Sequence, residues 1–280
     1  MARKDNVKIF EDTSRLCKEN VLLKQSIEDS LKSQQLILEK DVLKVSKEPV
    51  YTEKAEVMVS KKRTLEAATT YKGQRIMVHN FASASNPGGG VVHGSSAQEE
   101  CLCRCSTLYF NLDTTPMWNG FYMPHRKEGN PLHNDDCIYT PGVMVFKSDT
   151  ASPKLLEEED WYIVNVITCA APNLRPKPAN PMNPGDGNQA AKIKEKDLLT
   201  LHEERLRRIL DVAKVNQNEV VIIGAFGCGA FSNPPQVVAL AMRNVIREYL
   251  CDFKTIEFAV YCPPHDDSNY KTFERVMKTI

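Results

Sequence analysis

The stretch EVVIIGAFGCGAFSNPPQVVALAMRNVIREYL, residues 219–250, decides the fold class. It begins with a short apolar run typical of a buried strand and passes through a glycine-rich loop. It then continues in a helical pattern, which Pro234 and Pro235 would open as first-turn residues. A strand that leads through a loop into a helix is the repeating unit of α/β proteins with a parallel sheet.

Three other apolar runs have the same character, because each leads into a loop rich in Gly, Pro or Asn. They are RIMVHNFA from residue 75, WYIVNVITCAAP from residue 161 and TIEFAVYCPP from residue 255. Helical patterns lie between the runs, after Ser96 and from Ala190 to Val215. The alternation predicts a layered α/β domain with a mostly parallel sheet. Ligands bind beyond the carboxyl ends of such strands, so the loops that follow them should gather at one edge.

The composition predicts a soluble globular protein with one dominant domain. The chain has 280 residues, of which 42% are hydrophobic, and its 36 Lys+Arg balance its 36 Asp+Glu. The neutral charge gives no argument for a nucleic-acid or membrane partner, so a polyanionic ligand would have to be held by local chemistry. Nine cysteines suggest reduced thiols, and neither a secretory signal nor a bilayer-spanning run is visible. We therefore expect an intracellular, cytoplasmic protein.

The first part of the chain differs from the rest. Residues 1–50 are rich in Lys, Glu, Ser and Gln, with apolar positions at loosely helical spacing, although Val42, Leu43 and Val45 could also open a strand. We predict a partly helical extension over residues 1–73 that packs on a core of residues 74–280, with both parts in one structural domain.

Two glycine-rich loops should lie at the ligand edge of the sheet. The first glycine loop, residues 86–97, contains Gly88, Gly89 and Gly90, and the second glycine loop, residues 224–231, reads GAFGCGAF. The three glycines alone would fit a flexible turn, but two amide-rich loops together can hold a diphosphate with few cationic side chains. The second loop has neither the Walker nor the G-x-G-x-x-G spacing. A nucleoside diphosphate derivative is the predicted ligand class.

Two adjacent glutamates follow the first glycine loop. Ser96-Ala-Gln-Glu99 fits a helical capping box, which leaves a purely structural role open for Glu99. Glu100 lies one position beyond the box. A bound diphosphate would raise the pKa of its carboxyl group and helix-terminal amides would lower it, so the sequence leaves the direction open. A carboxylic acid beside an anomeric leaving group is the working part of a glycosidase, and Glu100, once deprotonated, could also activate water.

The segment APNLRPKPANPMNPGDGN, residues 171–188, is too polar for the core and too long for an ordinary connection. It is either a binding loop at the rim of a site or a disordered excursion. Its position after a strand favours the binding loop.

Five motifs in order resemble the bacterial-type, or microbial-type, poly(ADP-ribose) glycohydrolases. The signature of that family is a Gly-Gly-Gly loop followed after six to eight residues by Gln-Glu-Glu, and here Gln98-Glu99-Glu100 follows Gly90 after seven residues. The resemblance extends over residues 75–265 through NFASASNPGGG, YTPGVMVF, VITCAAPN and GAFGCGAFSNPP.

The resemblance implies a three-layer α/β/α macrodomain-like sandwich with an N-terminal extension. It also implies an enzyme that cleaves the ribose–ribose O-glycosidic bond of poly(ADP-ribose) and releases ADP-ribose, acting from the chain end without a metal or cofactor. By this likeness Glu100 is the general acid and then the base, while Glu99 orients the ribose hydroxyls. Phe231 would pack against the terminal ribose, and simpler macrodomains have Asn where this chain has Ser83. The implied ligand-binding residues are Asn80, Ser83, Gly88, Gly89, Gly90, Gln98, Ala225, Phe226, Gly227, Cys228, Gly229, Ala230 and Phe231.

Other candidate residues have simpler interpretations. Cys101, Cys103 and Cys105 on one helix could not converge on a metal, so they are interpreted as structural thiols. Trp118 could stack on adenine or anchor a loop. Arg205, with its two arginine neighbours in the same helix, is interpreted as part of a solvated helix face.

Three functions remain open from the sequence. The leading one is a poly(ADP-ribose) glycohydrolase that acts as a monomer on ADP-ribose polymers of modified proteins, with no nucleic-acid or membrane partner. The second removes single ADP-ribose units from a protein or nucleobase. The third is a reader that binds ADP-ribose without cleaving it, although a reader has no need of both carboxylates.

Overall fold

The structure is a computed structural model that describes residues 2–280. Its strands are β1 (Gln35–Ile37), β2 (Glu56–Ser60), β3 (Ile76–Ala82), β4 (Cys137–Val145), β5 (Tyr162–Ala170), β6 (Val220–Ile223) and β7 (Thr255–Ala259). Its helices are α1 (Arg3–Glu19), α2 (Val21–Ser33), α3 (Thr64–Ala68), α4 (Gln98–Cys105), α5 (Leu108–Leu112), α6 (Thr115–Met117), α7 (Met123–Glu128), α8 (Glu195–Val215), α9 (Pro235–Ile246) and α10 (Ser268–Met277). A π-helical turn, Trp118–Tyr122, joins α6 to α7.

The seven strands form one mixed sheet in the order β1-β4-β5-β3-β6-β7-β2. The five strands from β5 to β2 run parallel, whereas β1 and β4 are antiparallel to their neighbours. The predicted mostly parallel sheet is therefore confirmed, and its four predicted strands are β3, β5, β6 and β7.

Two separate hydrophobic clusters cover the faces of the sheet. Along β3 the side chain of Met77 enters one cluster, with helices α8, α9 and α10, whereas Ile76 and Val78 enter the other, with α3, α4 and α5. This alternation follows from the two-residue repeat of a strand. The result is a three-layer α/β/α arrangement.

Residues 1–73 contribute more than helices. Strands β1 and β2 both come from this part of the chain and occupy the two edges of the sheet. The helix α1 also buries Phe10 in the cluster that contains Val78. The division at residue 73 stays a prediction. Residues 42–45, where a strand seemed possible, contain no regular element.

The edge where β3, β5, β6 and β7 end places four loops side by side, since these strands are parallel neighbours. The loops after β3 and β6 are the first and second glycine loops, and the loop after β5 is the proline-rich segment 171–188. No helix within residues 2–280 combines the length and apolar character needed to cross a membrane.

Candidate active site

A cavity of about 310 Å³ opens at this edge of the sheet. Ten of the predicted catalytic and ligand-binding residues line this first cavity, namely Ser83, Gly89, Gln98, Glu99, Glu100, Ala225, Gly227, Gly229, Ala230 and Phe231. They come from the loops after β3 and β6 and from the start of α4. The parallel sheet thus brings together segments that are more than 120 positions apart in the sequence.

Glu99 is held as an acceptor at the bottom of the site. Its Oε2 accepts a hydrogen bond from the Ser83 amide at 2.8 Å, and its Oε1 accepts one from Nδ2 of Asn80 at 3.3 Å. Burial and, next, the carboxylate of Glu100 raise the pKa of Glu99 well above the ordinary value, against the opposing effect of these donors. The raised pKa favours the protonated form of the Glu99 side chain.

The capping-box alternative for Glu99 is wrong. Helix α4 has Ala97 as its N-cap and no side-chain cap. The carboxylate of Glu99 turns inward to the Ser83 amide instead of reaching back to Ser96. The capping-box pattern is present in the sequence. The fold, however, brings the Ser83 amide within hydrogen-bonding distance of the Glu99 carboxylate.

Glu100 has one fixed and one free oxygen. Its Oε1 accepts a hydrogen bond from the Gly90 amide at 2.9 Å. Its Oε2 is buried and has no hydrogen-bond partner in the described part of the chain, although the residue lines the cavity. Buried polar atoms are nearly always paired, so an unpaired carboxyl oxygen in a cavity wall indicates a ligand or substrate contact.

The first glycine loop supports the two carboxylates. Gly88 and Gly89 both have positive φ, at 65° and 57°. A Cβ built on Gly89 would lie 2.7 Å from Oε1 of Glu100 and 3.0 Å from Oε2 of Glu99. The Gly89 amide donates to the Asn86 carbonyl at 3.0 Å, and the Gly90 amide donates to Glu100. The glycines here let the loop lie directly against the glutamates.

The second glycine loop differs from the first because several of its amides are unpaired. Among residues 2–280, the amides of Gly227, Gly229, Ala230 and Phe231 have no acceptor. These residues line the cavity, and the φ of Gly227 is 76°. Successive free amides at the end of a strand form an anion-binding concavity.

Some predicted ligand residues lie behind the cavity wall. The ring of Phe226 packs on those of His79 and Phe81, and the Phe226 and Cys228 amides donate within the loop to Gly224 and Ala225. Asn80, Gly88, Gly90, Phe226 and Cys228 do not line the cavity. Asn80 and Gly90 act through the carboxylates, as described above. No contact in the structure tests the predicted ligand roles.

The side chain of Gln98 links the start of α4 to neighbouring elements. Its Oε1 accepts from the Phe81 amide at 2.9 Å, and its Nε2 donates to the His79 carbonyl at 2.7 Å and to Oγ1 of Thr64 at 3.0 Å. The start of α4 is thereby fixed to β3 and α3, which positions both glutamates.

The proline-rich segment 171–188 lies at the rim, as predicted for a binding loop. Met182 and Asn183 line the cavity, and Oδ1 of Asn183 accepts from Oγ of Ser83 at 2.6 Å. Asp186 of the segment accepts from Oγ of Ser85, the residue immediately before the first glycine loop, at 3.0 Å. Asp186 also lies 3.5 Å from Nε2 of the buried His133.

Several cavity residues were not singled out from the sequence. The guanidinium of Arg63 lies 3.9 Å from the ring centroid of Tyr261. Asp149 accepts from the Leu65 amide at 3.0 Å, while its other oxygen is buried without a partner in the described residues. Burial raises the pKa of Asp149. These side chains, with Thr64 and Asn269, also line the cavity. They occur singly in unremarkable segments, and only the topology brings them together.

The structure changes the interpretation of Arg205 and favours one of the two alternatives that the sequence leaves open for Trp118. Arg205 is not on a solvated face, since it is 2% exposed and donates to Asp135 at 2.7 Å and to the Ala170 carbonyl at 2.9 Å. Trp118 anchors its loop, because its indole donates to Asp113 at 2.8 Å and Arg126 stacks on its ring. Arg126 in turn donates to the Ser85 carbonyl at 2.6 Å and to Oδ1 of Asn86, and so supports the start of the first glycine loop.

Similar structures come from two bacteria. The poly(ADP-ribose) glycohydrolase of Thermomonospora curvata is 25% identical, with a TM-score of 0.82 over 98% of this chain and 99% of that one. Its complex with the inhibitor ADP-HPD is 27% identical, with a TM-score of 0.79 over 96% and 98%. The enzyme of Deinococcus radiodurans, in complex with ADP-ribose, is 28% identical, with a TM-score of 0.73 over 90% and 97%.

No match was found among curated proteins. The family model described as the catalytic domain of microbial-type PARG, where PARG stands for poly(ADP-ribose) glycohydrolase, matches residues 4–148. That range is more than half of the chain and contains the first glycine loop and both glutamates. The chain therefore belongs to the microbial-type poly(ADP-ribose) glycohydrolase family and is a glycosidase of the macrodomain-like α/β fold.

Proposed function

We propose that the protein removes ADP-ribose from the ends of poly(ADP-ribose) chains, with Glu100 as the general acid and base. The observation that carries this assignment is the free Oε2 of Glu100 in the cavity wall, while the other oxygen is held by the Gly90 amide. A carboxyl group fixed through one oxygen can present the other, with its proton, to a leaving group.

In both steps of the proposed reaction, a proton is transferred at this one oxygen. In the first, the bond from the anomeric carbon to the bridging oxygen breaks, its electron pair stays on that oxygen, and the oxygen takes the proton of Glu100. In the second, water bonds to the anomeric carbon and gives a proton to the Glu100 carboxylate. The substrate's own diphosphate would help to hold the water.

The cavity offers complementary groups for one ADP-ribosyl unit. The free amides of the second glycine loop face the diphosphate, and Phe231 packs against the terminal ribose. The carboxylate of Glu99, held by Ser83 and Asn80, accepts from ribose hydroxyls. Solved relatives bound to ADP-ribose and to ADP-HPD support this ligand class.

The adenine end of the substrate would lie at Arg63, Asp149 and Tyr261. The tyrosine ring offers a stacking surface, and the unpaired buried oxygen of Asp149 accepts from an amino group. A cavity of about 310 Å³ is the size that holds one small molecule rather than a stretch of polymer. This size favours cleavage at the chain end.

The proposal also covers the oligomeric state, the compartment and the carrier of the substrate. The protein would act as a monomer inside the cell on polymers carried by modified proteins. All nine cysteines are free thiols, as is usual in a reducing compartment.

The proposal is tested with an automodified polymerase that carries labelled poly(ADP-ribose). Wild-type protein should release ADP-ribose from the outset, also in the presence of EDTA. Glu100→Gln should lower turnover by roughly 10²-fold or more, the scale of a lost general acid, while the affinity for ADP-ribose by calorimetry stays the same. The exposed Glu11→Gln is the matched control.

Near wild-type turnover by a folded Glu100→Gln protein would exclude the assigned role. Oligomers as first products would show internal cleavage, and rescue by one cation after chelation would show a metal requirement. Release of single units from a mono-ADP-ribosylated protein, with polymer left intact, would favour the second function that the sequence leaves open.

A further inference from the structure

A second cavity of about 440 Å³ adjoins the first one. The two cavities share six lining residues, which are Ser96, Ala97, Glu100, Met182, Asn183 and Ala230. The remaining wall of the second cavity comes from the start of α1, from residues 94–95 and from the 171–188 segment. Glu100 therefore lines both spaces, and its Oε2 is buried without a hydrogen-bond partner in the described residues.

The position of a general acid constrains what lies on its two sides. The acid protonates the oxygen of the bond that breaks, and this oxygen joins the departing unit to the rest of the substrate. If the first cavity holds the terminal ADP-ribosyl unit, the remaining chain must leave from the other side of Glu100. The second cavity is the space that the structure provides there.

The second cavity has the charge expected for that role. Its ionisable lining residues are Arg3, Arg175 and Glu100. Arg3 donates through Nε to the His93 carbonyl at 2.9 Å, and within residues 2–280 its guanidinium has no carboxylate partner. Arg175 donates to Asn173 and Pro178 and is likewise unpaired with any carboxylate in that range. Two arginines without a counter-ion suit a diphosphate.

Specific contacts hold the lining segments of the second cavity together. A Cβ on Gly94 would lie 2.2 Å from the Arg3 carbonyl, so only glycine lets the start of α1 approach this closely. The buried Asn6 donates to the Gly94 carbonyl at 3.0 Å. Arg104 of α4 donates to the Ser95 carbonyl from the other side. The helix that carries Arg3 is thus fixed to the segment that precedes Glu100.

We propose that this second cavity is a leaving-group site, in which Arg3 and Arg175 bind the diphosphate of the next ADP-ribose unit of the polymer. The proposal rests on the proposed function, because it assigns the departing side of the same reaction. It explains how a chain of zero net charge selects a polyanion over a single ADP-ribosyl group.

The test compares two substrates with the same ADP-ribosyl group. One is poly(ADP-ribose), and the other is an aryl 1″-O-glycoside of ADP-ribose, whose leaving group carries no phosphate. Arg3→Gln should lower kcat/KM on the polymer by about 5- to 20-fold, the scale of a partly exposed charge-assisted hydrogen bond. Arg3→Glu should lower it further, and Arg175→Gln should act in the same direction.

The aryl glycoside separates a lost polymer contact from damage to the first cavity. Its kcat/KM should stay within about twofold of wild type in Arg3→Gln, since no phosphate is bound on that side. Arg15→Gln, on the same helix but paired with Asp12 and Glu19, removes the same charge away from the cavity and should leave both substrates unaffected. The salt dependence of polymer cleavage should weaken in Arg3→Gln.

Two results would overturn the leaving-group site. One is an unchanged rate of polymer cleavage in Arg3→Gln and Arg175→Gln, and the other is an equal loss on both substrates. In both cases the wild-type protein still cleaves polymer, so the glycohydrolase function stands. Failure of the wild-type protein to cleave polymer would instead refute the proposed function, and the leaving-group site with it.

Discussion

The two glycine loops line one cavity and use glycine for different purposes. In the first loop the amides of Gly89 and Gly90 already have acceptors, and a Cβ on Gly89 would meet the carboxylates of both glutamates. In the second loop the amides of Gly227 and Gly229 have no acceptor in the described chain, and both residues line the cavity. The first loop positions the two glutamates, and the second leaves amides free for the anion site that we propose.

The difference shows why a run of glycines does not by itself predict an anion site. Glycine allows close approach of any atom to the backbone, and the neighbour can belong to the protein or to a ligand. From the sequence, both loops were expected to hold the diphosphate. The structure assigns close packing against Glu99 and Glu100 to the first loop.

The largest expected effect comes from Gly89→Ala. The new Cβ would lie 2.7 Å from Oε1 of Glu100, and the backbone would be held at a φ of 57°. Glu100 must shift, and a displacement of about 1 Å at a reacting group can cost roughly 10²-fold in rate. We expect kcat on poly(ADP-ribose) to fall by about that factor, with little change in the Kd of ADP-ribose by calorimetry.

The matched control for backbone strain is Gly73→Ala. Gly73 has a φ of 89° with nothing within 4 Å of the added Cβ, and it lies outside the cavity. It should lower stability slightly and leave kcat unchanged. If Gly89→Ala instead weakens the binding of ADP-ribose and leaves kcat unchanged, the first glycine loop binds the ligand and does not position Glu100.

The next effect in size is expected from Gly227→Ala. Its Cβ would lie 2.7 Å from that of Ala171 and 2.5 Å from Nδ2 of Asn233, so the second loop would have to move. Loss of one or more hydrogen bonds to a diphosphate costs about 1 to 3 kcal/mol, or roughly 5- to 150-fold in Kd. We expect this loss in the calorimetric affinity for ADP-ribose, with kcat at saturation nearly intact. An unchanged Kd would show that the second glycine loop does not bind the diphosphate.

An effect on stability, rather than on binding or turnover, separates the two loops by pH. His79 packs on Phe226 of the second loop, and burial lowers the pKa of its ring to about 3. Below the unfolded pKa of about 6.5, the unfolded chain binds a proton that the folded protein does not. Stability should therefore fall towards acid, by up to about 1.4 kcal/mol per pH unit for this group.

Replacement of the imidazole tests this assignment. His79→Leu should flatten the fall in the free energy of unfolding between pH 6 and pH 4, measured by urea denaturation. The exposed His265→Gln serves as the control and should follow the wild-type curve. A slope in His79→Leu equal to that of wild type would show that other groups cause the acid loss.

The smallest effect is expected at Glu99, beside the first loop, and has the opposite sign. Burial and Glu100 raise the pKa of Glu99, so above about pH 4.5 the folded protein holds a proton that the unfolded chain has released. Stability should fall as pH rises until Glu99 ionises in the folded state. Glu99→Gln should reduce this loss of Tm between pH 5 and pH 8, whereas Glu11→Gln should not. A parallel pH curve for Glu99→Gln would contradict the shift.

The sequence by itself determined the central strands, the layered α/β class and the pair of glutamates beside a glycine loop. These features depend on local patterns: apolar runs bounded by Gly and Pro, and a short motif in a fixed order. Strand β4 escaped this reasoning because Pro141 and Gly142 interrupt its alternation, and the register shifts between Thr140 and Val143. Strands β1 and β2 are three and five residues long and lie at the edges, where few apolar residues are needed.

Tertiary structure alone decided what each polar group faces. It buried Arg205 against Asp135, turned Glu99 to the Ser83 amide, and placed Arg63, Asp149 and Tyr261 in one wall. It also left Oε2 of Glu100 unpaired, on a residue that lines both cavities. A hydrogen bond forms with whichever partner the fold brings within about 3 Å, and that distance depends on strand order and loop packing between residues far apart in sequence.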